Sequence, residues 1–391
     1  MSTNQSVIMQ VKAAVLVAPG KISIEYFPRP NVSDGDALVR MIGSGICGTD
    51  KHVFLKGEIR LGLVNDIVRF PIILGHENIG IIEEITNEAK KSMTTDGVPL
   101  DVGERVVISA DIRCGRCYNC INYYGVPWCE NHRSYGDVIS CKDPPHLFGG
   151  MAEMMYVLKG SYMFRIPKRL SNKIAILTEP LAVAYGAFVR GFQNPMTKEG
   201  FAPADFVLIQ GAGPLGFCNA LMAQLLGSSR IIVLDKSPFR LKIVKELLNV
   251  ETINISEESP QDRLTHVLSI TEGRGADVVV ECTGSDEAFS EGLSYLRIGG
   301  TYLIEGAYAE GGMIQISPSR QIVAKNVRII GIAGMPYQAY ARVLKILNSL
   351  GDINRLERVV THIFDIDHAN EAMHTSIKYD SMKVVVGSMK D

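Results

Sequence analysis

Residues 206–216 read Phe206-Val-Leu-Ile-Gln-Gly211-Ala-Gly213-Pro214-Leu215-Gly216. A short uncharged run closed by glycine reads as a buried strand, and the G-x-G-x-x-G spacing behind it opens a helix through Leu226. The first glycine makes the turn, the second lets backbone approach a pyrophosphate, and the third lets the helix pack on the strand. Free N–H groups and the helix dipole then favour the phosphates. Gly211, Gly213, Pro214, Leu215 and Gly216 are therefore expected to line a dinucleotide.

Downstream, residues 230–234 form a second apolar run, and Asp235 ends it nineteen residues after Gly216. A carboxylate there accepts hydrogen bonds from the adenosine ribose and repels a 2′-phosphate, so NAD is expected over NADP. Lys236 and Arg240 offset part of that repulsion. A helix to about Leu248 and strands at 277–281, 300–305 and 327–332 continue the alternation of a doubly wound parallel sheet. Beyond Pro336 come a helix over 339–350 and strand-like segments at 361–364 and 383–386, a tail expected to return to the first module.

That first module is β-rich. Apolar runs at 11–17, 37–42, 79–85 and 105–108 are divided by Gly, Pro and Asp, which suits a compact barrel-like unit. The stretches 55–71 and 114–148 have no periodic signal and are expected to carry binding sites.

At 391 residues, two domains are the default. A 46% hydrophobic, 21% charged chain of net charge -2 has no basic run for nucleic acid or a membrane surface. No secretory leader and no apolar run of membrane length is found, so a cytoplasmic location is expected.

Four of the eight cysteines, Cys114, Cys117, Cys120 and Cys129, fall within sixteen residues. Two C-x-x-C steps sharing a cysteine gather three thiolates, and the fourth closes a tetrahedron suited to a structural zinc. Two disulfides are the alternative in a secreted protein. Cys141 is a free thiol or a replacement for Cys129, and His132 is a more remote substitute. Cys218 and Cys282 read as core residues. Upstream, Cys47 in Gly45-Ile-Cys47-Gly-Thr49-Asp50 and His76 in Gly75-His76-Glu77 supply thiolate, imidazole and carboxylate, the ligands of an open catalytic zinc. Two zinc ions per chain are expected.

These motifs, in this order, resemble those of the zinc-dependent medium-chain dehydrogenase/reductase superfamily over essentially the whole chain. The resemblance implies a GroES-like catalytic domain from residues 1–178 and 333–391, a Rossmann domain over 179–332, and a site in the cleft between them. It also implies a homodimer or homotetramer. The third catalytic ligand falls at Glu179 in Thr178-Glu179-Pro180, as in the sorbitol and threonine dehydrogenase branch, with Glu77 the other carboxylate in reach. Thr49 would take the alcohol proton, His52 would relay it to solvent, and Lys383 would contact the cofactor pyrophosphate. The Cys120–Cys129 interval is one residue longer than the family's usual one, and the 55–70 loop is expected to reshape the substrate pocket.

The reading is hydride transfer between NAD(H) and a secondary alcohol, polyol or amino alcohol, or the corresponding ketone. A carbonyl reductase and a non-catalytic zinc- and nucleotide-binding protein are the alternatives. A zinc-free quinone reductase is disfavoured by the Cys47/His76 pair.

Overall fold

The computed structural model describes residues 9–57, 68–122, 129–194, 196, 199–306 and 312–390. Much of the 55–70 loop, and part of the 114–148 stretch, lie outside the described residues.

The strand Phe206–Gln210 is buried at every position and is central to a six-stranded parallel sheet. Across the sheet the order is Glu251–Asn254, Arg230–Asp235, Phe206–Gln210, Ala276–Glu281, Leu296–Ile304 and Arg328–Gly331. In chain order this is 3-2-1-4-5-6, the Rossmann arrangement, with its crevice where the order reverses between the first and fourth strands. The helices Pro214–Leu225 and Pro238–Leu248 connect the first three strands. Continuous Val/Ile/Leu runs form these strands because helices cover both sheet faces. The strand Glu251–Asn254 was not expected; four residues at a sheet edge, only Ile253 of them buried, give a weak periodic signal.

The other module is β-rich and GroES-like. Its seven-stranded sheet runs Met163–Arg165, Arg105–Ile108, Glu77–Ile85, Ala37–Gly45, Lys383–Val386, Val360–Phe364, with Met154–Val157 also paired to Ala37–Gly45. A second sheet places Gln10–Ala18 between Lys21–Pro28 and Ile72–Ile73. One register detail builds the site: Gly45 faces Glu77 on one side and Val385 on the other. A Cβ on Gly45 would stand 2.1 Å from Glu77 Oε2, so the position must be glycine for that carboxylate to fit.

The sequence shows no apolar run of membrane length, and the structure corrects this. Among the described residues the helical run Asn172–Gly191 is long and apolar enough by composition, but 78% of its apolar window is buried in protein. It belongs to a core that also contains Ile42, Ile79, Phe217, Leu303 and Val343, drawn from both modules. Phe164 stacks on Tyr340 at 4.9 Å and Tyr162 on Tyr337 at 4.3 Å, fastening the helix Gln338–Ser349 to the β-rich module. Such pairs add about 0.5–1.5 kcal/mol each beyond the area they bury.

Candidate active site

The helix Gly48–Lys56 starts where the strand Ala37–Gly45 ends, with Cys47 as its N-cap. Asp50, fully buried, turns back to accept from Cys47 N at 2.8 Å and from Gly75 N at 3.1 Å. Its Oδ1 is also 3.5 Å from Nδ1 of buried His76. One carboxylate thus ties together the two segments that carry Cys47 and His76. Burial pushes the His76 imidazole down, but Asp50 and Cys47 outweigh it and hold the pKa well above the ordinary value. The Asp50 approach is longer than a hydrogen bond and leaves Nδ1 without a hydrogen-bond partner among the described residues, but it sets the carboxylate on the Nδ1 side of the ring, where a zinc-bound histidine commonly has one.

Thr49 Oγ1 lies 3.8 Å from Cys47 Sγ. His52, one turn further along, is half-buried. Burial, then the positive charges of Lys56 and Lys51, hold its pKa below the ordinary value, so it is a neutral proton acceptor at pH 7.

Glu179 lies in the first turn of the helix Thr178–Gly191, 6% exposed, with no side-chain hydrogen bond among the described residues. Burial and then the Glu77 charge push its pKa up to about 8, against the pull of His76 and Lys383. A buried carboxyl among these neighbours fits a cation's ligand. Glu77 does not share that position. Both its oxygens accept from Lys383 Nζ, at 2.6 and 2.5 Å, and Lys383 also donates to Ile46 O at 3.3 Å. This corrects two expectations. Glu77 is spent on a lysine instead of being open to a metal, and Lys383 is buried in the ion pair instead of being presented to a pyrophosphate.

Asp137 was not expected here. A Cβ on Gly136 would come within 2.4 Å of Gly75 O, so the two backbones touch and Asp137 arrives beside His76. Burial pushes Asp137 up to about 6, the His76 charge pulls it down, and Ser134 Oγ donates to it. No motif marks it, because the contact joins loops distant in sequence.

In the cysteine lobe the four thiol sulfurs of Cys114, Cys117, Cys120 and Cys129 lie within 4.8 Å of one another. Cys114 and Cys120 are 3.9 Å apart, close to the ~3.8 Å edge of a tetrahedron with ~2.3 Å Zn–S bonds. Cys114 N and Cys120 N donate to sulfurs of the cluster at 3.4 and 3.3 Å, and Glu130 N to Cys117 at 3.4 Å. The backbone donor of Arg116 leads in holding Cys114 down to about 6, while burial and neighbouring thiols push Cys120 up to about 12. Four thiols this close cannot all ionise without a cation, and the donor set suits zinc. Cys129 completes the set despite the longer interval. Cys141 is buried elsewhere, its N bonded to Pro71 O, and His132 is bonded to Asp111 at 2.7 Å. Among the described residues no cysteine is in a disulfide.

At the nucleotide loop Gly211 has φ +104°, and a Cβ on Gly216 would lie 1.7 Å from Gly211 O. Gly213, the N-cap of the helix Pro214–Leu225, has only Arg240 Nη1 within 4 Å of a built Cβ, at 3.8 Å. That open ground in front of a helix N-terminus fits a phosphate. Asp235 Oδ2 accepts from Ala212 N at 2.6 Å and Oδ1 from Ser237 N at 2.7 Å, fixing the carboxylate beside the loop. Lys236 and Arg240 lie over the Tyr379 ring, at 4.4 and 5.5 Å from its centroid.

A cysteine lobe, a Cys47/His76 pair and a nucleotide crevice on these two modules define a zinc-binding, nicotinamide-dependent oxidoreductase. The family model for the alcohol dehydrogenase GroES-like domain matches residues 33–168, and that for the zinc-binding dehydrogenase domain matches residues 214–349. The chain is 31% identical to the 5-exo-hydroxycamphor dehydrogenase of Pseudomonas putida, covering 93% of this chain and 94% of that protein. It is 29% identical to the sorbitol dehydrogenase of Bacillus subtilis, over 98% and 99%. An alcohol dehydrogenase structure from Thermotoga maritima superposes with a TM-score of 0.86 at 29% identity, covering 97% of this chain and 99% of that one. The chain belongs to the zinc-dependent medium-chain dehydrogenase/reductase family.

Proposed function

We propose that the protein interconverts a secondary alcohol or polyol and its ketone, with NAD(H) as the hydride carrier. The observation that carries this reading is the Asp50 carboxylate bridging Cys47 N, Gly75 N and the His76 ring. It brings a thiol and an imidazole together as an open ligand pair, with Glu179 the proposed carboxylate partner. Zinc held there would supply Lewis acidity, and a bound nicotinamide would supply hydride acceptance or donation. The chain's own residues do the rest. Thr49, within 3.8 Å of Cys47 Sγ, receives the hydroxyl proton of the substrate. His52, neutral and half-buried, passes it to solvent.

Asp235 beside the glycine loop supports NAD over NADP, and the Tyr379 contacts of Lys236 and Arg240 weaken their offer to a 2′-phosphate. The sorbitol and hydroxycamphor dehydrogenases among its relatives support a ring or chain secondary alcohol. The proposed division is a catalytic unit of residues 1–178 and 333–391 around a nucleotide unit of 179–332. A screen of NAD reduction at 340 nm over secondary alcohols, polyols, threonine and cyclic hydroxy compounds tests the reading. Turnover of none of these by zinc-replete protein would refute it.

A further inference from the structure

Lys51 stands one helical turn beyond Cys47, half-buried, and among the described residues its ammonium has no hydrogen bond and no ion pair. Two other cations are brought to the same place. Arg240 donates to Ser381 O at 2.9 Å through Nε and to Lys378 O at 3.0 Å through Nη2. Two residues past Ser381, Lys383 donates to Ile46 O, immediately before the N-cap of the Lys51 helix. The segment 378–383 therefore brings Arg240, and the buried Lys383, towards the start of the Lys51 helix.

Their charges are not answered equally. Glu77 neutralises Lys383. Arg240 has only carbonyls on two of its nitrogens, and its third, Nη1, faces the open ground at Gly213. Lys51 has no carboxylate partner among the described residues. Burial first, then repulsion by Arg240 and Lys383, push its pKa down to about 8 against the pull of Cys47 and Glu77. Two unneutralised cations close enough to repel are mutually destabilising until an anion joins them.

We propose that Lys51 binds the pyrophosphate of the dinucleotide from the β-rich module, opposite Arg240 and the Gly213 turn. This rests on the nicotinamide-cofactor reading and adds to it the residue that closes the second module onto the phosphates. Lys383, expected in that role from the sequence, is a buried counter-ion. Lys51 escapes motif reading because nothing in its neighbours along the chain marks it; only the folded tail brings Arg240 to it.

The test uses ADP-ribose, which carries both phosphates without the nicotinamide, and adenosine, which carries neither. Both are measured by displacement of NADH fluorescence from zinc-replete enzyme. Lys51→Met should raise the ADP-ribose Kd about tenfold or more, as loss of a charge-assisted contact does, while adenosine shifts less than about twofold. Lys51→Arg should restore ADP-ribose binding to within about threefold of wild type. Unchanged ADP-ribose binding by Lys51→Met overturns the proposal and leaves the cofactor reading standing. Equal weakening of both ligands also overturns it, since a distorted cleft and not a phosphate contact would then be at work. A wild-type enzyme that binds neither NADH nor ADP-ribose removes the cofactor reading and the proposal together.

Discussion

The Lys383 ammonium lies 2.6 and 2.5 Å from the two oxygens of Glu77, and each side chain is 1% exposed. The pair joins the tail strand to the strand that follows His76, directly beneath Gly45. Its partners cannot be removed singly without burying a bare charge. Glu77→Gln or Lys383→Met should each lower unfolding free energy by roughly 3–5 kcal/mol. The double variant should lose much less than the sum. Urea denaturation of the four proteins gives the coupling, and additive losses would show that the pair is not an energetic unit.

The cysteine lobe should hold its own metal ion. Cys114 follows the strand Asp111–Ile112 and Cys129 precedes its partner Arg133–Ser134, so the cluster closes the far end of a hairpin whose near end leads to Asp137. Cys114→Ser is expected to lower zinc content by one ion per chain and to reduce Tm, with activity falling as the ribbon frays. Elemental analysis that finds the zinc content unchanged would remove the structural site.

Cys47→Ala and His76→Ala address the second metal. Each deletes a proposed ligand but leaves the glycine loop and Asp235 intact, so turnover should vanish while NADH affinity stays within about threefold, far less than one good contact. Near-normal kcat in a variant that has lost the ion would show that the zinc there is not needed for turnover.

Much of this architecture is legible along the chain because its signals are local. Phe206–Gln210, Arg105–Ile108 and Lys383–Val386 match the sequence-predicted strands residue for residue, since each is an apolar run bounded by turn residues. The cysteine spacing likewise foretells a cluster, because a single short segment supplies all four sulfurs. What escapes is what depends on long-range contact. Glu77 looks like a ligand beside His76 until the tail, more than three hundred residues later, supplies Lys383 to it. Asp137 comes within electrostatic reach of His76 where the Gly136 backbone lies on that of Gly75. Lys21–Pro28 is missed for a different reason: none of its positions is buried, so it has no clean alternation.

Glu305 gives a pH prediction away from the metal ligands. It is 5% exposed, accepts from Asn219 Nδ2 at 2.8 Å through Oε2, and has no partner for Oε1. Burial pushes its pKa up to about 8, the Asn219 bond pulls it down, and nearby Glu281 raises it. The folded protein therefore keeps a proton that the unfolded chain has lost. Stability from this group is full below the unfolded value near ~4.3 and is lost as pH rises towards 8, by up to ~1.4 kcal/mol per pH unit. Glu305→Gln should leave Tm nearly unchanged near pH 4 and raise it progressively towards pH 8. A variant that tracks wild type across that range would show that Glu305 ionises normally.

Asp235 supplies the last prediction. Its two oxygens anchor Ala212 N and Ser237 N, so the carboxylate is held beside the glycine loop before any cofactor arrives. Wild type should therefore show the higher kcat/KM with NAD, and Asp235→Ser should narrow the gap. The substitution removes an acceptor for the ribose hydroxyls and a charge that repels a 2′-phosphate. It also loosens the loop anchor, which lowers affinity for both cofactors alike, so the preference and not the affinity is the informative quantity. A contact to a charged group is worth about 1.5–3 kcal/mol, which sets the change in preference at roughly ten- to a hundredfold. Lys236 and Arg240 remain on Tyr379 in the variant and limit how far NADP can gain. An NAD/NADP ratio that does not move, with both affinities lowered equally, would mean that Asp235 serves the loop alone and that the ribose is read by another residue.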